Sequence, residues 1–193
     1  TVADQLVDRI GQSAVAAVKA IYDEKDISPR KYIHGLWVLQ RLNALDKDLI
    51  KKSLAHSQPV IKVHTLGVLE EREVKGEDFY PLILDALNDK DPHVQRAAVQ
   101  LLVRYPTIET LETALALRKK IPDYDSHMIY ATRLSIRNLV RNDALMKQVV
   151  ARDWEQEDAK NLADVMLGVP SEGAGLFLAG YLNNSQEEHR MKE

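Results

Sequence analysis

The stretch that decides the fold is "KDPHVQRAAVQLL", residues 90–102. Its apolar residues return every third and fourth position, which is the spacing of one face of an α-helix. They are Val94, Ala97, Ala98, Leu101 and Leu102. Pro92 suits the first turn of a helix, where the amide that it lacks has no intrahelical partner, and Asp91 is a favoured N-cap residue. The pattern therefore predicts a helix that begins at Pro92.

The same arrangement occurs twice earlier in the chain. "SQPVIKVHTLGVLEE", residues 57–71, places Pro59 33 residues before Pro92. "SPRKYIHGLWVLQRL", residues 28–42, places Pro29 30 residues before Pro59. Apolar residues follow each proline at matching distances, so the sequence predicts a repeat.

Each repeat contains a second apolar helix pattern between the prolines. "DKDLIKKSLAH" at 46–56 and "GEDFYPLILDALN" at 76–88 align at the same 33-residue shift, and "TIETLETALALRKK" at 107–120 completes the third unit. Two helices per repeat of this length are typical of an α-solenoid, whose hairpins bury their apolar faces by stacking on one another.

The ends of the chain extend this pattern less regularly. We expect a first hairpin from residues 2–10 and 13–24, later hairpins from 125–140 with 143–152 and from 157–168 with 171–182, and a polar tail at 183–193. Repeats are expected to start near Pro29, Pro59, Pro92 and Asp125 within one domain over residues 1–193. Because the first residue is Thr1 and not Met, we expect the chain to be part of a longer protein.

Composition narrows the class of protein. The chain has 193 residues, 45% hydrophobic and 28% charged, with a net charge of -3, which is ordinary for a folded protein with a core. An acidic balance argues against nucleic acid as a partner, because binding to phosphates needs clustered basic residues. No apolar run approaches the length of a membrane span, and zero cysteines exclude disulfides and thiolate metal sites within this segment.

The helix pairs that follow Pro29, Pro59 and Pro92 resemble HEAT repeats over about residues 12–182. That resemblance implies an all-α fold, a right-handed α-α superhelix or HEAT/ARM-like solenoid of about five helical hairpins. "IHGLWVLQRLNALD", "DPHVQRAAVQLL", "DSHMIYATRLSIRNL" and "GVPSEGAGLFLAGYL", in that order, are similar to the helical-repeat segment of large bacterial secreted proteins. Those proteins join a sugar-dehydrogenase-like β-propeller to a c-type cytochrome module.

The narrower resemblance implies a helical spacer in a periplasmic or secreted redox protein. The haem motif CxxCH is absent, so we expect no cofactor in this segment and no enzyme activity of its own. The expected partner is protein, either a neighbouring domain of the same chain or a separate molecule. The di-iron hydroxylases of this fold use His-Glu dipeptides, and no histidine here is followed by glutamate.

Two histidines occupy equivalent positions in consecutive repeats. His34 and His64 are related by the 30-residue shift, and Ala97 follows in the third repeat. We expect both side chains to point to the interior and to bond carbonyl groups of the neighbouring repeat. A two-histidine metal site is the alternative, although no third ligand follows at a compatible spacing. A bilin-lyase-like enzyme or another cofactor-handling protein that uses this region stays open.

Charged and aromatic residues suggest two candidate surfaces. Arg133, Arg137 and Arg141 recur every four residues and form a basic stripe, which either binds an anion or pairs with carboxylates such as Asp123, Asp125 or Asp143. In HEAT solenoids the second helices line the concave side. By that resemblance, the candidate interaction surface consists of Lys47, Lys51, Lys52, Tyr80, Asp85, Glu109 and Glu112.

The two tryptophans differ in their surroundings. Trp37 lies within an apolar run, and we expect it to be packed. Trp154 lies among charged residues, and we expect it to pack against a helix end, with an exposed binding anchor as the alternative. The sequence thus favours a non-catalytic scaffold or protein-interaction domain, with a cofactor handler and an anion-binding adaptor as the other hypotheses.

Overall fold

The computed structural model describes residues 2–72 and 79–184. Every regular element in these two ranges is a helix, and neither range contains a β-strand. This confirms the all-α class predicted from the sequence. The chain forms two compact units, Thr1–Leu101 and Leu102–Glu193, called unit 1 and unit 2 below.

Unit 1 begins with a broken run of short helical pieces and continues with longer α-helices. The N-terminal segment, residues 2–23, contains α-helical Val2–Asp4, π-helical Gln5–Ile10, 3₁₀-helical Gly11–Ala14, α-helical Val15–Ala20 and 3₁₀-helical Ile21–Asp23. The longer helices are α1 Pro29–Arg41, α2 Lys47–Leu54, α3 Pro59–Glu71, α4 Tyr80–Leu87 and α5 Pro92–Leu101.

The helices of unit 1 start where the sequence predicts because their first turns are locally specified. Pro29, Pro59 and Pro92 are the first residues of α1, α3 and α5. The Ser28 hydroxyl accepts a hydrogen bond from the Lys31 amide, and Asp91 Oδ1 accepts from the amides of His93 and Val94. These side chains satisfy amides that have no partner inside the helix.

In unit 1, alternate helices along the chain pack against each other. Helix α1 packs on α3, α3 packs on α5, and α2 contacts α4. The repeated apolar positions supply this core, since Leu36, Leu39, Ile61, Leu66 and Val94 are all almost completely buried. Burial of side chains of this size is worth about 2 kcal/mol each.

A buried tyrosine pair connects the N-terminal segment to α1 and α2. The Tyr22 hydroxyl donates to the Tyr32 carbonyl at 3.0 Å, and the two rings meet edge to face at 4.7 Å. The Tyr32 hydroxyl is 2.9 Å from Ser53 Oγ, which itself donates to the Leu49 carbonyl. Burial raises the pKa of Tyr22 well above its usual range.

The N-terminal segment is not the hairpin that the sequence predicts. The apolar spacing indicates two helices at 2–10 and 13–24, but the structure breaks this stretch into pieces of three to six residues. Gly11 adopts a positive φ of 61°, which interrupts the helical path, and the pieces on either side lack side-chain N-caps. Glycine tolerates this conformation because it has no Cβ.

Unit 2 has a 3₁₀ turn at Leu102–Arg104 followed by further α-helices. They are α6 Ile108–Lys120, α7 Ser126–Val140, α8 Asp143–Val150, α9 Gln156–Met166 and α10 Glu172–Asn184. Thr107, Asp125 and Asn142 cap α6, α7 and α8 with side-chain oxygens. Helix α7 packs on α9, and α8 contacts both α6 and α10, so the next-but-one pattern occurs in this unit as well.

The predicted polar tail begins later than expected. Helix α10 continues to Asn184, so residues 183–184 are helical, and the rest of the tail lies outside the described residues. Among residues 2–72 and 79–184 no helix has both the length and the apolar character needed to cross a membrane.

Candidate functional site

Five residues of the candidate interaction surface lie on α2 and α4 of unit 1. Lys47, Lys51 and Asp85 are exposed, and Tyr80 is half-buried at the start of α4. The Lys47 ammonium lies 5.6 Å from the centroid of the buried Phe79 ring, a cation–π distance. Because α2 contacts α4, these residues form one mixed-charge face, which we call the α2–α4 surface.

Lys52 points away from that face. Its Nζ donates to the Tyr22 carbonyl at 3.1 Å, so it binds the end of the N-terminal segment. The sequence register predicted that Lys52 and Lys51 lie on the same surface. It could not show that the last turn of α2 contacts the N-terminal segment. We therefore assign Lys52 a structural role.

A cleft with both charged and apolar lining residues, which the sequence did not indicate, lies next to the α2–α4 surface. It has a volume of about 260 Å³, and its lining includes Lys51, Lys62, Asp85 and Asp89. Lys62 Nζ is 2.7 Å from Asp89 Oδ2, and both side chains are mostly buried. The hydrogen bond from Lys62 lowers the pKa of the Asp89 carboxyl below its usual range. This ion pair joins α3 to the turn that precedes α5.

Glu109 and Glu112, the other two residues of the predicted surface, belong to unit 2. Both are exposed on α6, and Glu112 forms an ion pair with Arg152. That arginine also lies over the Trp154 ring, with its guanidinium carbon 4.9 Å from the ring centroid. Glu112 therefore belongs to a local cluster in unit 2.

The basic stripe of α7 faces α9. Arg133 makes a bidentate pair with Asp164, with Nε–Oδ2 at 2.7 Å and Nη2–Oδ1 at 2.8 Å. Arg137 is half-buried, and its Cδ would lie 3.4 Å from a Cβ added to Gly168, just past the end of α9. Arg141 is exposed. Pairing of the stripe with carboxylates is thus seen at Arg133.

The partner of Arg133 differs from the ones that we expected. Asp123, Asp125 and Asp143 lie close to the stripe in sequence, but Asp164 lies on α9, which packs beside α7. Asp125 instead caps α7 through the Met128 amide. The packing of α9 on α7 brings Asp164 to Arg133, so proximity in the sequence could not predict this pair.

The expected interior position is wrong for His34, and the bond seen at His64 is to an indole and not to a carbonyl group. His34 is exposed, and His64 is half-buried and accepts a hydrogen bond from the Trp37 indole at 3.3 Å. Their equivalence in register fails because α1 is preceded by the irregular N-terminal segment and not by a hairpin that would cover His34. In the described part of the chain, no cluster of three or more potential ligands is positioned to hold a metal ion.

Trp154 packs against a helix end, as expected. Its indole Nε1 donates to the Val149 carbonyl near the C-terminus of α8 at 2.9 Å, and the side chain is half-buried. Trp37 is also half-buried, since its indole contacts His64. Neither tryptophan is an exposed binding anchor.

An apolar cavity of unit 1 lies between the N-terminal segment and α1. It has a volume of about 640 Å³, and its walls are formed mainly by apolar side chains such as Leu6, Val18 and Val38. Arg30 and His34 line the same cavity. The sequence pattern did not reveal this cavity because it predicted a regular hairpin in place of the N-terminal segment. The one available signal was Gly11, which interrupts the apolar spacing there.

Comparison with family models, curated proteins and solved structures found no significant match to this chain.

Proposed function

We propose that this chain is a non-catalytic helical-repeat scaffold of the HEAT type, which holds a protein partner or positions neighbouring domains. The observation that supports it best is the packing of each long helix against the next but one within both units. Helical-repeat proteins stack hairpins in this way and bind partners along the surface that the hairpins present.

The α2–α4 surface is the proposed contact site. Exposed Lys51 and Asp85 give it charges of both signs, and half-buried Tyr80 provides an aromatic group. Mixed charge around an aromatic residue suits a moderate protein contact, in which aromatic residues contribute most of the binding energy. A nucleic-acid groove would need one sign of charge.

The resemblance of the quoted motifs to secreted redox proteins supports a second part of the proposal. In that case the chain is a spacer in a periplasmic or secreted protein whose other parts contain the β-propeller and the cytochrome. The spacer itself holds no covalent c-type haem, since that attachment needs the CxxCH cysteines and the chain has none.

Two alternatives have weaker support. Cofactor handling of the bilin-lyase kind would use the region of His34 and His64, and the cavity beside His34 favours it. Anion binding by Arg133, Arg137 and Arg141 is less favoured, because Asp164 already neutralises Arg133. Binding to that stripe that does not weaken with added salt would exclude the anion-binding alternative.

The size of the native polypeptide tests the spacer proposal. An antibody against this segment is used on a blot of the source cells, and the same gel is stained for covalent haem. If the chain is a spacer in a larger redox protein, we expect a haem-positive band several times larger than 21.9 kDa. A haem-negative band at 21.9 kDa would contradict the multidomain part and leave a free-standing adaptor.

Photo-crosslinking tests the contact site directly. A benzophenone amino acid replaces Lys51 or Asp85 on the α2–α4 surface, and exposed Arg96 on α5 is the matched control position. We expect both surface positions to crosslink to one protein or to one neighbouring domain, and the Arg96 position to give no such product. Equal products at all three positions would contradict the proposed site.

A further inference from the structure

The cavity between the N-terminal segment and α1 has the size and lining of a small-molecule site. Its volume of about 640 Å³ falls within the range of ligand pockets in proteins. Leu6 and Val18 from the N-terminal segment and Val38 of α1 are among its lining residues. An occupant must therefore present an apolar body to these walls, because uncompensated polar groups are costly to bury there.

Basic residues line one end of the cavity. Arg30, Lys31 and His34 come from the first two turns of α1, and among the described residues no carboxylate lines the cavity. Lys31 Nζ forms an ion pair with Glu24 Oε1 at 2.6 Å. Arg30 and His34 have no hydrogen bond or ion pair with any described residue. The amino-terminal end of a helix also favours negative charge through its dipole. This end of the cavity is suited to an anion.

The cavity stays open because of how the N-terminal segment meets α1. A Cβ added to Gly35 would lie 2.5 Å from the Tyr22 hydroxyl and 2.6 Å from Ile21 Cδ1, so glycine lets the end of the segment touch the α1 backbone. The beginning of the segment is a π-helix, Gln5–Ile10, a rare form found often at functional sites. The end of the N-terminal segment contacts α1 closely at Gly35, but the earlier, irregular part of the segment leaves space beside α1 unfilled.

We propose that unit 1 binds a single-chain anionic amphiphile, a long-chain carboxylate, in this cavity. The hydrocarbon tail lies against Leu6, Val18 and Val38, and the carboxylate lies between Arg30 and His34. Charge complementarity selects this occupant over a neutral or cationic one, since Arg30 and Lys31, the charged side chains among the described residues of the lining, are basic. The site is separate from the α2–α4 surface and does not depend on the scaffold function.

Calorimetric titration of the full chain with dodecanoate, below the concentration at which it forms micelles, tests the proposal. We expect one site per chain with a Kd on the order of 10 µM. Dodecyltrimethylammonium, with the same tail and the opposite head charge, should bind at least about tenfold more weakly. No binding of dodecanoate, or equal binding of both amphiphiles, would overturn the proposal.

Variants locate the site. Ala17→Trp places a large side chain in the cavity from an exposed wall position and should abolish binding. Arg30→Glu reverses a charge beside the carboxylate and should weaken the binding of dodecanoate about tenfold. Arg96→Glu, an exposed charge reversal on α5 outside the cavity, should leave the Kd unchanged. Circular dichroism checks that each variant is helical. Undiminished binding by a folded Ala17→Trp protein would show that dodecanoate binds elsewhere and would overturn the proposal.

Discussion

The N-terminal segment and the α1–α5 helices of unit 1 are built from similar proportions of apolar residues, yet only the latter form long helices. Helices α1 and α5 begin with a capping side chain followed by proline, and their apolar stripes face neighbouring helices. The segment has Gly11 at a positive φ, no side-chain caps, and Ala14, Val18 and Tyr22 as its buried residues. Each of the helices α1–α5 thus begins with a capping side chain, a proline or both, whereas residues 2–23 contain no proline.

The largest loss of stability is expected from a substitution that creates a cavity in the core formed by α1–α5. Leu66→Ala removes a side chain that is almost completely buried in α3, and we expect the free energy of unfolding of unit 1 to fall by about 3 kcal/mol. Leu6→Ala in the N-terminal segment removes a half-buried leucine and should cost less than about 1 kcal/mol.

The tryptophan positions allow this measurement on one unit. In a Trp154→Phe background the remaining Trp37 lies in α1, so its fluorescence during urea unfolding reports on unit 1. If Leu6→Ala costs as much as Leu66→Ala, the two regions contribute equally to the core and the contrast between them is wrong.

The next largest effect concerns the contact that joins the two regions. Gly35→Ala places a Cβ 2.5 Å from the Tyr22 hydroxyl, and we expect a loss of about 2 kcal/mol because the buried tyrosine must shift. Gly67→Ala is the matched control, since its Cβ would lie 3.6 Å from Trp37 and alanine favours a helix by up to about 1 kcal/mol. Hydrogen exchange should show faster exchange at residues 15–23 in Gly35→Ala alone.

The third prediction concerns the ion pair of Lys62 and Asp89. Asp89→Asn leaves the mostly buried Lys62 without its carboxylate, and we expect a loss of about 1.5 kcal/mol at pH 7. Asp85→Asn changes an exposed carboxyl nearby and should stay within about 0.5 kcal/mol of the parent protein.

The pH dependence of that difference follows from the lowered pKa of Asp89. A carboxyl whose pKa is lower in the folded than in the unfolded state contributes stability above its unfolded pKa of about 3.9. That contribution is lost as the pH falls through the lowered folded pKa. The parent protein and Asp89→Asn should therefore converge in stability below about pH 4, and a constant difference down to pH 3 would exclude a charge effect.

The smallest effect is expected at the helix caps. Ser28→Ala removes the hydroxyl that accepts from the Lys31 amide at the start of α1, and we expect a loss of about 1 kcal/mol. Gln58 precedes Pro59 at the equivalent place before α3 but makes no side-chain cap bond, so Gln58→Ala should change stability by less than about 0.5 kcal/mol. Urea unfolding in the Trp154→Phe background measures both, and equal losses would show that the cap contributes nothing specific.

The sequence predicted the parts of the fold that depend on local rules. Pro29, Pro59 and Pro92 each begin a helix, and Asp91 caps the third of these. Local rules could not predict the N-terminal segment, because its path depends on the fit of Tyr22 against Gly35.

The candidate site was predicted less completely than the fold. Lys51 and Asp85 lie on neighbouring helices as the repeat register requires. Lys52 binds the Tyr22 carbonyl, and Arg133 binds Asp164 of α9, because long side chains reach partners that only tertiary packing brings near. The apolar cavity was missed because the sequence pattern predicted a regular hairpin in place of the N-terminal segment.

The ion pairs that hold the N-terminal segment in place make its attachment sensitive to ionic strength. Arg41 pairs with Asp4 at 2.8 Å and with Asp8 at 3.5 Å, and Lys19 pairs with Asp46 at 2.8 Å. All of these side chains are substantially exposed, so dissolved ions screen their attraction, whereas the apolar contacts among α1, α3 and α5 do not weaken in this way. Raising the salt concentration should thus loosen residues 2–23 while leaving helices α1–α5 folded. The composition of the surrounding solution would then control access to the cavity.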